Sequence, residues 1–282
     1  DHRDLHLSIR RQRQMCIRDR VYVVQCGDEI RCAKVYKEAN KRSFRQAVDY
    51  TEGRKTKNSR QARAMQKGSR YGRQEQEAAW QHAEVDALYR LAAAGVRVPT
   101  PYNFHEGVLL MELVADENGE PAPRLNDVKL SEEVAREYHA ILIRQVVRML
   151  CAGIVHGDLS EYNVLVDSEG PVIIDLPQAI DAAANNNASR MLERDVDNLA
   201  TYFGQFAPDL LTTQYGKEIW ALYETGKLQP ESELTGVFKS DEGQADLNEI
   251  MHVIDNARRE DAARRVRKAL QTAAVKPPES DF

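Results

Sequence analysis

Three oxygen-bearing side chains, Asp158, Asn163 and Asp175, cluster around one short stretch of the chain. Val164-Leu-Val166 and Val172-Ile-Ile174 are β-branched runs, and Asp167-Ser-Glu-Gly170 between them is turn material, so the stretch predicts a hairpin. Asn163 precedes the first run and Asp175 follows the second, which would set the two side by side at the open end. An amide oxygen and a carboxylate are hard ligands suited to Mg²⁺, which keeps water or phosphate in the rest of its shell. Asp158 lies five residues before Asn163 in the loop entering the hairpin, within reach of such a metal–phosphate as a base or orienting group. Asp and Asn are also ordinary turn formers, and a lone D-x-x-x-x-N does not separate the two readings.

Other elements must hold these residues in place. Ser131 is an N-cap for a long helix whose buried stripe is read as Val134, Tyr138, Ile141, Leu142, Val146, Met149 and Leu150, ending at Gly153. Val21–Cys26 and Ile30–Tyr36 form a second hairpin about Gly27-Asp28, with Lys34 inside its second strand. A mid-strand lysine ordinarily faces solvent. Residues 74–94 are helical, closed by Gly95, and Glu84 on that helix is by default exposed. Val98-Pro-Thr-Pro101 is an extended connector, Val108–Val114 a buried-type strand, and Asp116–Pro123 a turn-rich link. Met191–Phe206 is a helix on which Asp195 would ordinarily be a surface acid of the first turn. Residues 209–226 and 245–271 read as two further helices, with a polar linker between them.

The chain has 282 residues, 42% hydrophobic and 29% charged, enough for one large or two small lobes. No run approaches the ~18 apolar residues of a membrane span, so no membrane partner is expected. Cys16, Cys26, Cys32 and Cys151 have no framework spacing, which fits free thiols in a reducing cytoplasm. Residues 41–73 carry eleven Lys/Arg against Asp49 and Glu52, a net +9, leaving about −14 on the rest of the chain. Such a run is either a solvated face or an electrostatic footprint for RNA or another polyanion. Residues 1–20 read as an irregular arm without glycine: either Met15-Cys-Ile-Arg-Asp-Arg20 is translated adapter sequence, which it resembles, or the segment is an ordinary disordered basic arm.

The string His156-Gly-Asp-Leu-Ser-Glu-Tyr-Asn163, followed by Ile174-Asp-Leu-Pro-Gln-Ala179, resembles the RIO family of atypical kinases, nearest its RIO1 branch and of bacterial type. Over about residues 21–206 the resemblance implies an α+β, bilobal protein-kinase-like fold. Residues 21–115 would be the N-lobe, with a small antiparallel sheet, one helix and a basic flexible insertion at 41–73. Residues 116–272 would be a mainly helical C-lobe, and 273–282 a tail. It implies ATP and Mg²⁺ as cofactors and an ATP-dependent serine/threonine kinase or ATPase, with Asp175 as a possible aspartyl-phosphate acceptor. Carried over residue by residue, Lys34 meets the α/β-phosphates and Glu84 pairs with Lys34. Met111 guards the back of the nucleotide pocket or is plain core, and backbone groups of Glu112 and Val114 meet the adenine edge. Asn163 and Asp175 hold the metal, Asp158 serves the acceptor, and Asp195 hydrogen-bonds the catalytic-loop backbone. The acceptor would be a protein, the chain itself included, and RNA or a ribosomal particle would meet 41–73. Two other classes stand beside this: an RNA- or ribosome-associated module switched by ATP, and a small-molecule phosphotransferase, which the I-D-L-P-Q-A string disfavours. The resemblance also requires a glycine-rich lid, yet Gly27 is the single glycine before Lys34, which predicts weak nucleotide binding and poor transfer.

Overall fold

The structure, a computed structural model, describes residues 20–36 and 70–238, with side chains from residue 81 onward in the first helix. Readings that fall on 1–19, 37–69 and 239–282, namely the arm, the basic insertion as far as residue 69, the last helix and the tail, lie outside the described residues, whereas residues 70–73, expected as the end of that insertion, belong to the first helix. All described residues belong to one unit.

Strands β1 (Arg20–Cys26), β2 (Glu29–Val35), β3 (Pro101–His105) and β4 (Val108–Glu112) form an antiparallel sheet in the order β1-β2-β4-β3. Both of its tight hairpins depend on positive φ. Gly27 turns β1 into β2 at φ 64, and Glu106 and Gly107 turn β3 into β4 at φ 46 and 76. Two successive positive values are what a two-residue type I′ loop demands. The first helix, α1 (Arg70–Ala93), packs against this sheet through Val85, Leu88 and Leu91, all buried. Strand β4 stops at Glu112, and Val108 and Glu112 are exposed, so the expected buried strand to Val114 is shorter and only partly buried.

The second half is mainly helical. Ser131 caps α2 (Glu132–Cys151), its hydroxyl accepting from Val134 N–H at 3.3 Å, with Glu132 and Glu133 favourably placed in the first turn. Gly153 at φ 73 ends the excursion. The buried face of α2 is rotated from the expected stripe. Ala135, His139, Leu142, Val146, Met149 and Leu150 are buried, whereas Val134, Tyr138 and Ile141 are only partly so. Helix α3 (Ala188–Phe203) crosses α2, and α4 (Tyr215–Glu224) packs on both. The helix expected over 209–226 is split: Pro208–Thr212 forms a 3₁₀ turn and α4 starts afresh after Gln214.

Two small ladders lie between the halves. β5 (Ile154–Val155) pairs with β8 (Ile180–Asp181), and β6 (Val164–Asp167) pairs with β7 (Gly170–Ile173). The core under them is Leu125, Leu142, Leu150, Leu159, Val164, Ile173, Leu199 and Phe203, almost wholly removed from water. At ~25 cal/mol per Å² of apolar area, such burial is the main favourable term fixing the loops above it. Residues 96–98 fasten the sheet side to this core. The Arg97 carbonyl accepts from Ile173 N–H at 2.8 Å, and Arg97 N–H donates to Gln145 Oε1 at 3.0 Å. The Arg97 guanidinium meets Asp167 at 2.6 Å.

Candidate active site

The loop from His156 to Asn163 is held from below by α3. Asp195 is 1% exposed, and its two carboxylate oxygens accept from Gly157 N–H at 2.7 Å and Leu159 N–H at 3.1 Å. Burial pushes its carboxyl up to about 7, against the pull of the two backbone N–H groups. It is the eighth residue of the helix and not a surface acid of the first turn. Two neighbours on the same face complete the grip: Arg194 donates to the Gly157 carbonyl, and Asn198 Nδ2 donates to the Leu159 carbonyl at 3.1 Å. Sequence reading named Asp195 and missed Arg194 and Asn198. A signal existed for Asn198, which lies three residues after Asp195 on the same helix face, and for Arg194, which lies four before Asn198.

His156 ties the start of the loop to the strand beneath Asp175. Its ring is 2% exposed, Nδ1 lies 3.3 Å from Asp158 N–H and Nε2 lies 3.1 Å from the Ile174 carbonyl. Only the neutral ring protonated on Nε2 satisfies both, since Nδ1 must accept and Nε2 must donate. Burial lowers its basicity and keeps it neutral. At the loop's other end, Asn163 Nδ2 donates to the Asp158 carbonyl at 2.8 Å. That bond spends the amide nitrogen and turns the amide oxygen, the atom a metal needs, the other way.

The hairpin register differs from the expectation. Val164 pairs with Ile173, and Ile174 N–H donates to the Asn163 carbonyl at 2.9 Å. Asn163 therefore faces Ile174, and Asp175 lies one residue beyond. Asp175 takes φ 65, one of two non-glycine residues with positive φ among those described. Left-handed backbone costs an L-residue roughly 1–2 kcal/mol, least for Asp and Asn. Here it swings the Asp175 carboxylate towards the sheet. Lys34 Nζ meets Glu84 Oε1 at 2.5 Å and Asp175 Oδ1 at 3.1 Å. Neither Lys34 (7% exposed) nor Glu84 (6%) follows the ordinary exposed reading of its type. Burial alone would lower Lys34, but Glu84 and then Asp175 outweigh it and hold the ammonium well above its usual value. Burial likewise would raise Asp175, but Lys34 outweighs it and holds the carboxyl below the usual range.

The strand end of β4 forms the remaining wall. Met111 is partly buried and packs against the main core. Glu112 N–H donates to the Thr100 carbonyl at 2.9 Å, and its side chain accepts from Thr100, so its backbone offers only the carbonyl. Val114 is buried and its carbonyl accepts from Ala122 N–H at 3.0 Å, while its own N–H meets no backbone carbonyl among the described residues. Val114, Ala122 and Val172, with Leu165 against them, form a separate small apolar cluster. An apolar cluster beside an N–H that meets no backbone carbonyl among the described residues suits an aromatic base with a ring acceptor.

Among the described residues no group of three or more His, Cys, Asp or Glu could hold a metal ion. Asp175 and the amide oxygen of Asn163 would offer a pair of hard oxygens. That fits Mg²⁺, which takes one or two protein oxygens beside substrate phosphates, and not a metal needing a full protein cage.

A family model for the RIO domain matches residues 20–215. The RIO-type serine/threonine-protein kinase Rio1 of Haloferax volcanii is 40% identical over 136 residues, 46% of this chain and 44% of that protein. That of Thermoplasma acidophilum is 36% identical over 124 residues, 44% of this chain and 63% of that protein. The serine/threonine-protein kinase RIO1 of Homo sapiens is 33% identical over 136 residues, 48% of this chain and 24% of that protein. In each case this chain spans less than two thirds of the relative's own length.

Proposed function

Because the chain belongs to the RIO domain family, we propose that it is an ATP-dependent serine/threonine protein kinase requiring Mg²⁺. The observation that carries this reading is the convergence of buried Lys34 and Glu84 with half-buried Asp175 from three separate elements. A lysine held ionised between two carboxylates is ready to exchange one of them for phosphate oxygens, at little reorganisation cost. Glu84 keeps Lys34 in place, and Asp175 with Asn163 would hold the metal. Mg²⁺ there would neutralise charge developing on the phosphate oxygens. The backbone N–H of Val114 and carbonyl of Glu112 would read the adenine edge. Asp158 would orient the acceptor hydroxyl and take its proton. The reaction is then mostly positioning and charge neutralisation.

Asp175 is also the acceptor in a route through an aspartyl-phosphate. In that route its carboxylate oxygen attacks the γ-phosphorus, the bond to the bridging oxygen breaks and ADP leaves. Hydroxylamine-labile label on the protein after incubation with γ-labelled ATP, absent in Asp175→Asn, supports that route. The parent reading is tested by ATP turnover in Asp175→Asn. The expected result is loss of turnover with an unchanged circular dichroism spectrum, and an unchanged rate in the folded variant overturns the site. The net +9 of residues 41–73 supports a second reading, in which the protein also contacts RNA or a ribosomal particle.

A further inference from the structure

Only residues 176–187 separate Asp175 from α3, and their course is fixed at both ends. Ala179 N–H donates to the Leu176 carbonyl at 3.0 Å, closing a turn over Pro177 and Gln178. The chain then enters β8, which pairs with β5 through Val155↔Ile180 and Ile154↔Asp181. β5 runs directly into His156, Gly157 and Asp158. Gln178 lies two residues before Ile180, and Asp158 three residues after Val155. The ladder therefore holds the two loops at a set spacing, and their side chains meet: Gln178 Nε2 donates to Asp158 Oδ2 at 3.3 Å. On the other side, the Asp158 backbone is pinned by His156 Nδ1 and by the Asn163 amide. Backbone pins fix where the Asp158 side chain starts, not how its carboxylate is rotated. A donor on one carboxylate oxygen fixes that rotation.

The geometry points to Gln178 as a positioning residue: its amide sets the rotation of the Asp158 carboxylate and so the angle at which the acceptor hydroxyl is received. This rests on the function proposed above. In the step concerned, the acceptor oxygen attacks the γ-phosphorus, the bond from phosphorus to the β-bridging oxygen breaks and ADP leaves. The acceptor's proton passes to Asp158. Gln178 takes no part in bond making, and an amide donates at any ordinary pH. A donor at this place is possible because the segment after Asp175 is so short. It turns back at once into β8 and leaves its third residue beside the base.

The test is single-turnover phosphate transfer from γ-labelled ATP, with nucleotide affinity measured separately by titration. It uses the full chain as wild type, Gln178→Ala, Gln178→Glu, Asp158→Asn and the double variant Asp158→Asn/Gln178→Ala. Misorienting one positioned group costs about tenfold in rate, and that is the loss expected for Gln178→Ala at unchanged nucleotide affinity. Gln178→Glu keeps the length but sets a like charge against Asp158, and should be at least as slow. In the Asp158→Asn background, removing Gln178 should change the rate less than about twofold, because no carboxylate remains to be oriented. A wild-type rate in Gln178→Ala overturns the inference. So does a tenfold loss that persists in the Asp158→Asn background, which marks Gln178 as merely structural. If Asp158→Asn is as fast as wild type, or wild type transfers nothing, the function proposed above has failed and this inference with it.

Discussion

Lys34 sits between two carboxylates in a region nearly closed to water, and that arrangement is sensitive to any one deletion. Removing one partner of a buried ion pair leaves charge uncompensated and costs about 3–5 kcal/mol. Glu84→Ala should fall at the low end, about 3 kcal/mol, because Asp175 remains on Lys34. Urea denaturation measures it, and a loss under about 1 kcal/mol would mean that the pair is not coupled as the distances indicate. Two other buried groups predict a pH response. His139 is 2% exposed, its Nε2 lacks a hydrogen-bond partner among the described residues, and Phe203 and Tyr215 flank its ring. Burial lowers it from 6.5 to about 4. A depressed basicity in the fold means full stability above about pH 6.5, lost as pH falls towards 4 while the unfolded chain takes up the proton; the effect is on the order of 3 kcal/mol. Asp195 runs the opposite way. Its folded value of about 7 is raised, so its contribution is greatest in acid and is lost as pH rises through 7. Between pH 4 and 6.5 the two slopes oppose each other. His139→Phe should remove one of them, and denaturation midpoints should then rise on acidification from pH 7 to 5. A variant whose midpoints still track the wild type would show that His139 is not the titrating group.

At the scale of elements, function depends on α3 gripping a loop and on residues 96–98 joining the sheet side to β7. The α3 grip has four hydrogen bonds from three residues, two of them to Asp195. Asp195→Asn must lose at least one, because an amide nitrogen cannot accept. We expect turnover to drop about tenfold, with nucleotide affinity little changed, since the loop carries Asp158 and not the adenine wall. A fall in affinity with turnover per bound nucleotide intact would contradict that division. The 96–98 segment is fastened by one backbone bond to Ile173, by the bond from Arg97 N–H to the Gln145 side chain and by the partly buried Arg97–Asp167 contact. Arg97→Ala should cost about 1–2 kcal/mol. It should also loosen the 96–98 segment against β7, which hydrogen exchange of the Ile173 amide would reveal. Protection equal to wild type at that amide would show that the side chain is not part of the fastening.

For the molecule as a whole, ligand linkage gives the most direct check. A ligand that binds only the folded state at 100 times its dissociation constant adds about 2.7 kcal/mol. For a chain of this size that is a midpoint rise of roughly 5–10 °C. ATP with Mg²⁺ should produce it, and chelation by EDTA should remove most of it. A shift indifferent to EDTA would argue against Asp175 and Asn163 as a metal pair. Residues 41–73 predict a second whole-molecule property: RNA binding that weakens steeply with salt, as neutralised phosphates release counterions. Reversing Arg54, Lys55 and Lys57 to Glu should flatten that dependence. Affinity unchanged by the reversal would make the run a solvated surface.

Local chemistry determined the hairpins, the Ser131 cap, the α+β order of elements and the loop–hairpin unit that carries Asp158, Asn163 and Asp175. These follow from turn residues, β-branched runs and N-cap preference over a few neighbouring positions. Even within them, the course of Asp175 was out of reach. The two-residue loop Ser168-Glu169 pairs Asp167 with Gly170 and so sets Asn163 opposite Ile174, while the direction taken by the Asp175 carboxylate goes with its left-handed backbone and with Lys34, 141 residues away in sequence. Burial was out of reach for the same reason. Lys34 and Glu84 read as exposed because a lone charge in water is the cheap state. They are buried because each neutralises the other across 50 residues. The turn of the buried face of α2 towards His139 was settled by Phe203 and Tyr215, which no pattern within α2 encodes. Gln178 stood in the I-D-L-P-Q-A string without a role of its own, since an amide in a short loop is ordinary until the β5–β8 ladder sets it beside Asp158. Sequence spacing fixes chemistry along the chain, whereas long-range pairing decides which oxygen meets which donor.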